Sequence, residues 1–165
     1  MKTACFPLGD EPVEHDERAA LAARFANVQS QVISSPALAA RETANWIAQA
    51  FDIDRAFDDL DYGHWRGHSV REIGAQRPEE IAAWLADPHA RPHGGESIAM
   101  LAERVAQGLA RLPRARGVVI VTHAIVVKAA WAHVHGKPLS EIFAMGFAPL
   151  SSTVLDLDAE LRALP

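Results

Sequence analysis

The stretch Gly117-Val118-Val119-Ile120-Val121-Thr122-His123-Ala124 sets four apolar β-branched residues in a row and then turns polar at threonine and histidine. An unbroken β-branched run suits the middle of a parallel sheet, where both faces of the strand are covered. Residues from Ala124 to about His135 follow with helical composition. The stretch therefore reads as a buried strand, a turn at His123 and a helix. In open α/β sheets, ligands bind at the carboxyl ends of strands, and a helix N-terminus there attracts anions. That places His123 at a candidate site, although a histidine merely capping a helix has the same local pattern.

Working outward, the same alternation recurs. Asp16 to Ala26 is alanine-rich with Leu21 and Phe25 four apart, a helix. Gln31–Ser34 is a short strand. Ser34 or Ser35 is then expected to cap a helix from Pro36 to about Phe51, burying Leu38, Trp46, Ile47 and Phe51. Residues 52–68 hold two glycines and five aspartates and read as a long loop. Ser69–Ala75 and Pro78–Ala86 are short helices divided at Arg77-Pro78, and Asp87–Gly95 is a second loop. Glu96–Leu112 is a helix with Ile98, Leu101, Val105 and Leu109 at helical spacing. Leu139–Met145 is expected to be helical, and Ser152–Leu157 a last strand. Strands alternating with helices predict one α/β domain over residues 1–165, a three-layer sheet with helices on both faces.

Composition removes several classes of function. The 165 residues are 49% hydrophobic and 22% charged, ordinary for a packed domain. A net charge of -5 argues against nucleic acid, whose phosphates need a basic face. It leaves small phosphate esters open, because one local pocket binds those. Cys5 is the only cysteine, so no disulfide framework or cysteine-based zinc site is expected. No stretch approaches the roughly 18 apolar residues of a membrane span. The cytoplasm is the expected location, with no metal and no cofactor. His64 and His68 are four apart, but Gly63 and Gly67 disfavour the helix that would pair them on a metal.

Three further segments could carry chemistry. Ser34-Ser35-Pro36-Ala37-Leu38-Ala39-Ala40-Arg41-Glu42-Thr43-Ala44 is another strand-to-helix junction, with hydroxyls and free N–H groups suited either to an anion or to simple capping. Asp59-Leu60-Asp61-Tyr62-Gly63-His64-Trp65-Arg66-Gly67 concentrates acids, aromatics and glycines on a loop, as a site wall or a pinned surface turn. Pro92-His93-Gly94-Gly95-Glu96-Ser97 lets backbone approach closely ahead of a helix with an acidic first turn.

These four segments, in this order, resemble the histidine phosphatase (phosphoglycerate mutase-like) superfamily. The patterns are serine-serine-proline to threonine-alanine, acid-x-x-aromatic-glycine, Gly-Gly-Glu-Ser and Val-Thr-His. The likeness covers about Phe6 to Leu157 and leans toward the small phosphatase branch, including alpha-ribazole phosphatase-like proteins. It implies a phosphoglycerate mutase-like fold and hydrolysis of phosphomonoesters. His123 and Asp59 would be catalytic, with Ser35 and Gly95 at the substrate, and the partner a small phosphorylated metabolite. His123 matches the family's second histidine, which steadies the phosphoryl group. Asp59 takes the place of the proton-donating glutamate, one methylene shorter.

Two departures accompany the likeness. The family's nucleophile lies in an Arg-His-Gly triplet ending its first strand, and no such triplet occurs in these 165 residues. The family's phosphate-binding arginine, four residues before the threonine, is here Ala39. Arg41 lies two residues along the same helix, roughly 200° around its axis. The chain is therefore expected to be catalytically impaired as written. A non-catalytic binding or scaffold module, and an active phosphatase or mutase truncated at its N-terminus, are the alternatives. Losing the first central strand would also bare the edge beside Val118–Val121. Coding sequence upstream, residues 1–8 moving into the gap, or a second chain forming a homodimer would each cover it.

Overall fold

The computed structural model describes residues 5–26, 30–114 and 116–157. Among the described residues three parallel strands make the sheet: β1 (Gln31–Ser34), β2 (Asp52–Ile53) and β3 (Val118–Val121), in the order β2-β1-β3. β1 and β3 lie in register from Gln31 against Val118 to Ser34 against Val121. Their carboxyl ends therefore finish side by side, and this register brings Ser35 to His123.

Among the described residues there are six α-helices: α1 (Arg18–Phe25), α2 (Leu38–Ile47), α3 (Val70–Gln76), α4 (Pro78–Ala86), α5 (Ile98–Ala110) and α6 (Ala124–Val134). Val32 and Ile33 are both buried and, as neighbours on a strand, point to opposite faces. Ile33 joins the main core with Ile98, Leu101 and Val105 of α5 and Val126 and Ala129 of α6. On the other side α2 packs on β1 and β3, with α1 outside it. The predicted three-layer α/β architecture is the one observed.

Particular expectations shift. α2 ends at Ile47 rather than Phe51, and its buried residues are Ala40 and Ala44. Small side chains let this helix lie close on the sheet, leaving Leu38, Trp46 and Ile47 half-buried. No serine side chain caps it; Ala37 is its N-cap. α3 starts one residue after Ser69 because Ser69 and Glu72 form a reciprocal capping box. α5 likewise starts after Ser97, whose hydroxyl accepts the Met100 N–H. β2 is too short and exposed to show an apolar pattern, and the stretch taken for loop contains it. Leu139–Ala144 is helical, but as a 3-10 helix.

The largest correction concerns Ser152–Leu157, which forms no strand. A strand needs hydrogen-bonded pairing along its length, and this segment makes none with the sheet among the described residues. Only Leu155 and Leu157 pack on the core, while Val154 is 94% exposed. Among the described residues β3 is paired on one side only. The N-terminal residues do not cover that edge within the described range. Phe6 donates its N–H to the His68 carbonyl and accepts from the Gly67 N–H, while Cys5 bridges to Ser69. Residues 1–4 lie outside the described residues. Phe6 instead packs in an aromatic cluster with Tyr62, Trp65 and Trp84.

Candidate active site

Two strand ends and one loop build the site. Ser35 follows β1 and donates its backbone N–H to the Val121 carbonyl at 2.9 Å, tying the two junctions together. His123 follows β3 and is the N-cap of α6, with no side-chain capping bond. Its side chain is thus free to turn toward Ser35 and not along its own helix. The Ser35 hydroxyl and His123 Nε2 share a hydrogen bond of 2.9 Å. On the other side of the ring, Nδ1 lies 3.5 Å from Asp59 Oδ2.

Serine, histidine and aspartate in this sequence of contacts resemble the order of a hydrolytic triad, but the burial of Ser35 decides against that role. Ser35 has no exposed surface. Its hydroxyl oxygen also accepts the Ala37 N–H at 3.2 Å and faces Asp58 Oδ1 at 3.2 Å. With partners on every side, the hydroxyl is a post for His123, closed to an incoming electrophile.

Asp59 lies in the segment between β2 and the 3-10 turn Gly63–Trp65. Its carboxylate accepts the Leu60 N–H at 2.8 Å. Burial pushes its carboxyl above the usual carboxylate range, and the neighbouring Asp58 adds to the rise. His123 and the Leu60 N–H offset part of it. The direction of that shift is the one a proton donor requires.

Arg104, on α5, holds this segment in place. It pairs with Glu96 at 2.7 and 2.9 Å and donates to the carbonyls of Arg55, Ala56, Asp58 and Asp59 at 3.0–3.3 Å. Thr122 fixes the same segment from the sheet side by donating its hydroxyl to the Phe57 carbonyl at 2.5 Å. Asp58, Arg104 and the Thr122 hydroxyl carry no role in the motif reading above. The one local signal for them is the doubled acid Asp58-Asp59; the Glu96 to Arg104 spacing of eight residues points nowhere by itself.

Gly95 has a different setting from its motif-based role at the substrate. A Cβ at Gly95 would lie 2.0 Å from the Asp61 carbonyl oxygen, and one at Gly63 would lie 2.1 Å from that of His93. The two glycines form the seam where the 61–63 and 93–95 backbones touch. Glu96 N–H to Asp61 O, at 2.8 Å, and His64 N–H to His93 O, at 3.0 Å, close it. His93, on a predicted loop, has no exposed surface and packs on Trp65.

A cavity of about 350 Å³ opens beside Asp59, walled by Pro7–Asp10, Pro36, Ala37, Arg55, Asp58, Asp59, Leu60 and Arg66. Arg66 is engaged with Asp61 at 3.1 Å, and Arg41 is exposed on α2. Neither Ser35 nor Gly95 lines this cavity. Among the described residues, no group of three or more His, Cys, Asp or Glu is placed to hold a metal ion. No helix among them is long and apolar enough to cross a membrane.

Comparison with known proteins follows the same residues. Residues 11–164 match the family model described as histidine phosphatase superfamily, branch 1. Phosphoserine phosphatase 1 of Hydrogenobacter thermophilus is 30% identical over 136 residues, which are 77% of this chain and 64% of that protein. The chain thus spans a little under two-thirds of that relative's length. The mycobacterial glucosyl-3-phosphoglycerate phosphatase superposes with a TM-score of 0.73 at 26% identity, covering 87% of this chain and 77% of that one. A putative alpha-ribazole-5'-P phosphatase of Escherichia coli gives 0.76 at 21% identity, covering 87% and 76%, a likeness of fold.

Proposed function

The chain belongs to the histidine phosphatase superfamily, branch 1, and from that premise we propose that these 165 residues hold a small phosphorylated metabolite poorly and turn it over slowly or not at all. The observation that carries this reading is the composition of the site around His123. Its partners are the Ser35 hydroxyl and the Asp59 carboxylate, with Asp58 bonded in turn to Ser35, and among the described residues no arginine is a hydrogen-bonding or ionic partner of the ring. Ala39 stands where the motif calls for the phosphate-binding arginine.

The chemical consequences follow from charge. Phosphoryl transfer needs cationic donors on the equatorial oxygens and a nucleophile in line with the leaving oxygen. Each charge-assisted bond to phosphate contributes about 1.5–3 kcal/mol. Loss of one such arginine lowers affinity by one to two orders of magnitude. Asp59 retains what a proton donor needs, because burial keeps its carboxyl high and it borders the cavity. His123 is pinned through Ser35 and supports the site without attacking phosphorus. The 165 residues contain no Arg-His-Gly triplet to supply the attacking imidazole. A surviving cavity with weakened chemistry also favours a second reading, a binding module for a phosphorylated or other small ligand.

The test is turnover of generic phosphomonoesters by purified residues 1–165, with His123→Ala as the control. The expected result is equal, background rates. A clear rate that His123→Ala abolishes, with phosphohistidine trapped on quenching, would overturn the proposal. Calorimetry with phosphorylated metabolites separates the binding module from an empty remnant: heat without turnover supports the former.

A further inference from the structure

Beyond what the chain lacks, the loop before Asp59 adds a group that works against phosphate. Asp58 Oδ1 accepts the Asp59 N–H at 3.0 Å and faces the Ser35 hydroxyl at 3.2 Å. That hydroxyl is in turn 2.9 Å from His123 Nε2. A loop N–H and the hydroxyl of Ser35 at the end of β1 are donors of the kind an incoming anion uses. Here a carboxylate from the same chain already takes both. Asp58 also walls the cavity, together with Asp59 and Asp10.

We propose that Asp58 is an internal counter-anion: it occupies the anion donors beside His123 and determines that the site rejects phosphate. This rests on the reading of the site given above and names the residue responsible for part of the weakness. A bound phosphate would have to displace the Asp58 carboxylate from Ser35 or sit beside it, and like charges at this range repel strongly in a half-buried setting. The Arg104 contact to the Asp58 carbonyl holds the backbone at this residue, so Asp58 is poorly placed to swing aside. Its role is to set specificity, and it does no chemistry.

The experiment uses the full 165-residue chain, with inorganic phosphate and vanadate as probes, measured by calorimetry and by ³¹P and ⁵¹V NMR. Asp58→Asn keeps the shape and removes the charge. It is expected to bind phosphate about tenfold more tightly than the wild type, the scale of one removed like charge nearby. Asp58→Glu, which keeps the charge, should stay as weak as the wild type. Asp16→Asn changes net charge equally at an exposed site and should gain little. The ring-nitrogen signals of His123 should move in Asp58→Asn and stay put in Asp16→Asn. If Asp58→Asn fails to fold, Asp58→Ser repeats the test.

Equal affinity of wild type and the neutral variants overturns the inference. So does a matching gain in Asp16→Asn, which would make the effect one of overall charge. Failure of the functional reading looks different: it is turnover by the wild-type chain, whatever the Asp58 variants bind.

Discussion

Replacing Arg104 by methionine keeps most of the stem's volume and removes the guanidinium. The structure sets the scale of the loss. Arg104 makes two contacts to Glu96 and four to the carbonyls of residues 55, 56, 58 and 59. Breaking a buried pair by removing one partner costs 3–5 kcal/mol, mostly from the charge left behind. Here the side chains of Arg104 and Glu96 retain 25% and 14% of their exposure, so water relieves part of that cost. The freed carbonyls lie on a half-exposed segment and find water too. The expected destabilisation is therefore about 2–3 kcal/mol. Urea unfolding followed by tryptophan fluorescence reads it directly. For a chain of this size, the melting temperature should fall by roughly 2–4 °C for each kcal/mol. The double variant Arg104→Met/Glu96→Gln should be less destabilised than the sum of its single changes, because the orphaned carboxylate is gone. Arg104→Lys should recover only part, since an ammonium cannot reach a carboxylate and four carbonyls together. A loss below about 1 kcal/mol in Arg104→Met, or strict additivity in the double variant, would refute this account of how the Asp59 segment is held.

Three further predictions rest on packing, on helix propensity and on linkage. Gly95→Ala should destabilise by about 2–3 kcal/mol or more, because its Cβ would meet the Asp61 carbonyl at 2.0 Å. Gly74→Ala, on α3 with nothing within 4 Å of the new Cβ, should stabilise by about 0.5–1 kcal/mol. Burial holds the His93 imidazole below its ordinary value of 6.5. The unfolded chain therefore binds more protons below that pH. Stability should fall as pH drops from 6.5 toward the folded value and be level above it. His93→Gln should flatten that slope in urea midpoints measured across the range, and an unchanged slope would count against it.

Much of the fold is legible in the amino-acid order because its signals are local. Val118–Val121 marks a strand by its unbroken branching, and Ile98, Leu101, Val105 and Leu109 mark a helix by their spacing. Both elements form, but the strand expected to be covered on both faces is only half-buried, because one of its edges is unpaired among the described residues. Ser152–Leu157 shows the limit of that logic. Its pattern is that of a strand, but pairing depends on where the distant parts of the chain place it, and here it stays outside the sheet. α2 shows another limit, since alanines, and not the large residues, face the sheet. Helical spacing tells which residues share a face; how closely the helix lies on its neighbour selects the face that is buried.

The sequence by itself determined the alternation of strands and helices, the family, and His123 just past the end of a strand. Each of these is written in neighbouring residues, through dihedral preference and the period of apolar side chains. Only the tertiary structure decided what His123 touches. Ser35 is 88 positions away and reaches it because β1 and β3 pair with Ser34 opposite Val121. Asp58 and Asp59 arrive from a loop that Arg104 clamps across 45–48 positions. A one-residue slip between β1 and β3 would turn Ser35 away from the ring. The strand register brings Ser35 to the ring, and the clamped loop sets the Asp58 carboxylate against the Ser35 hydroxyl.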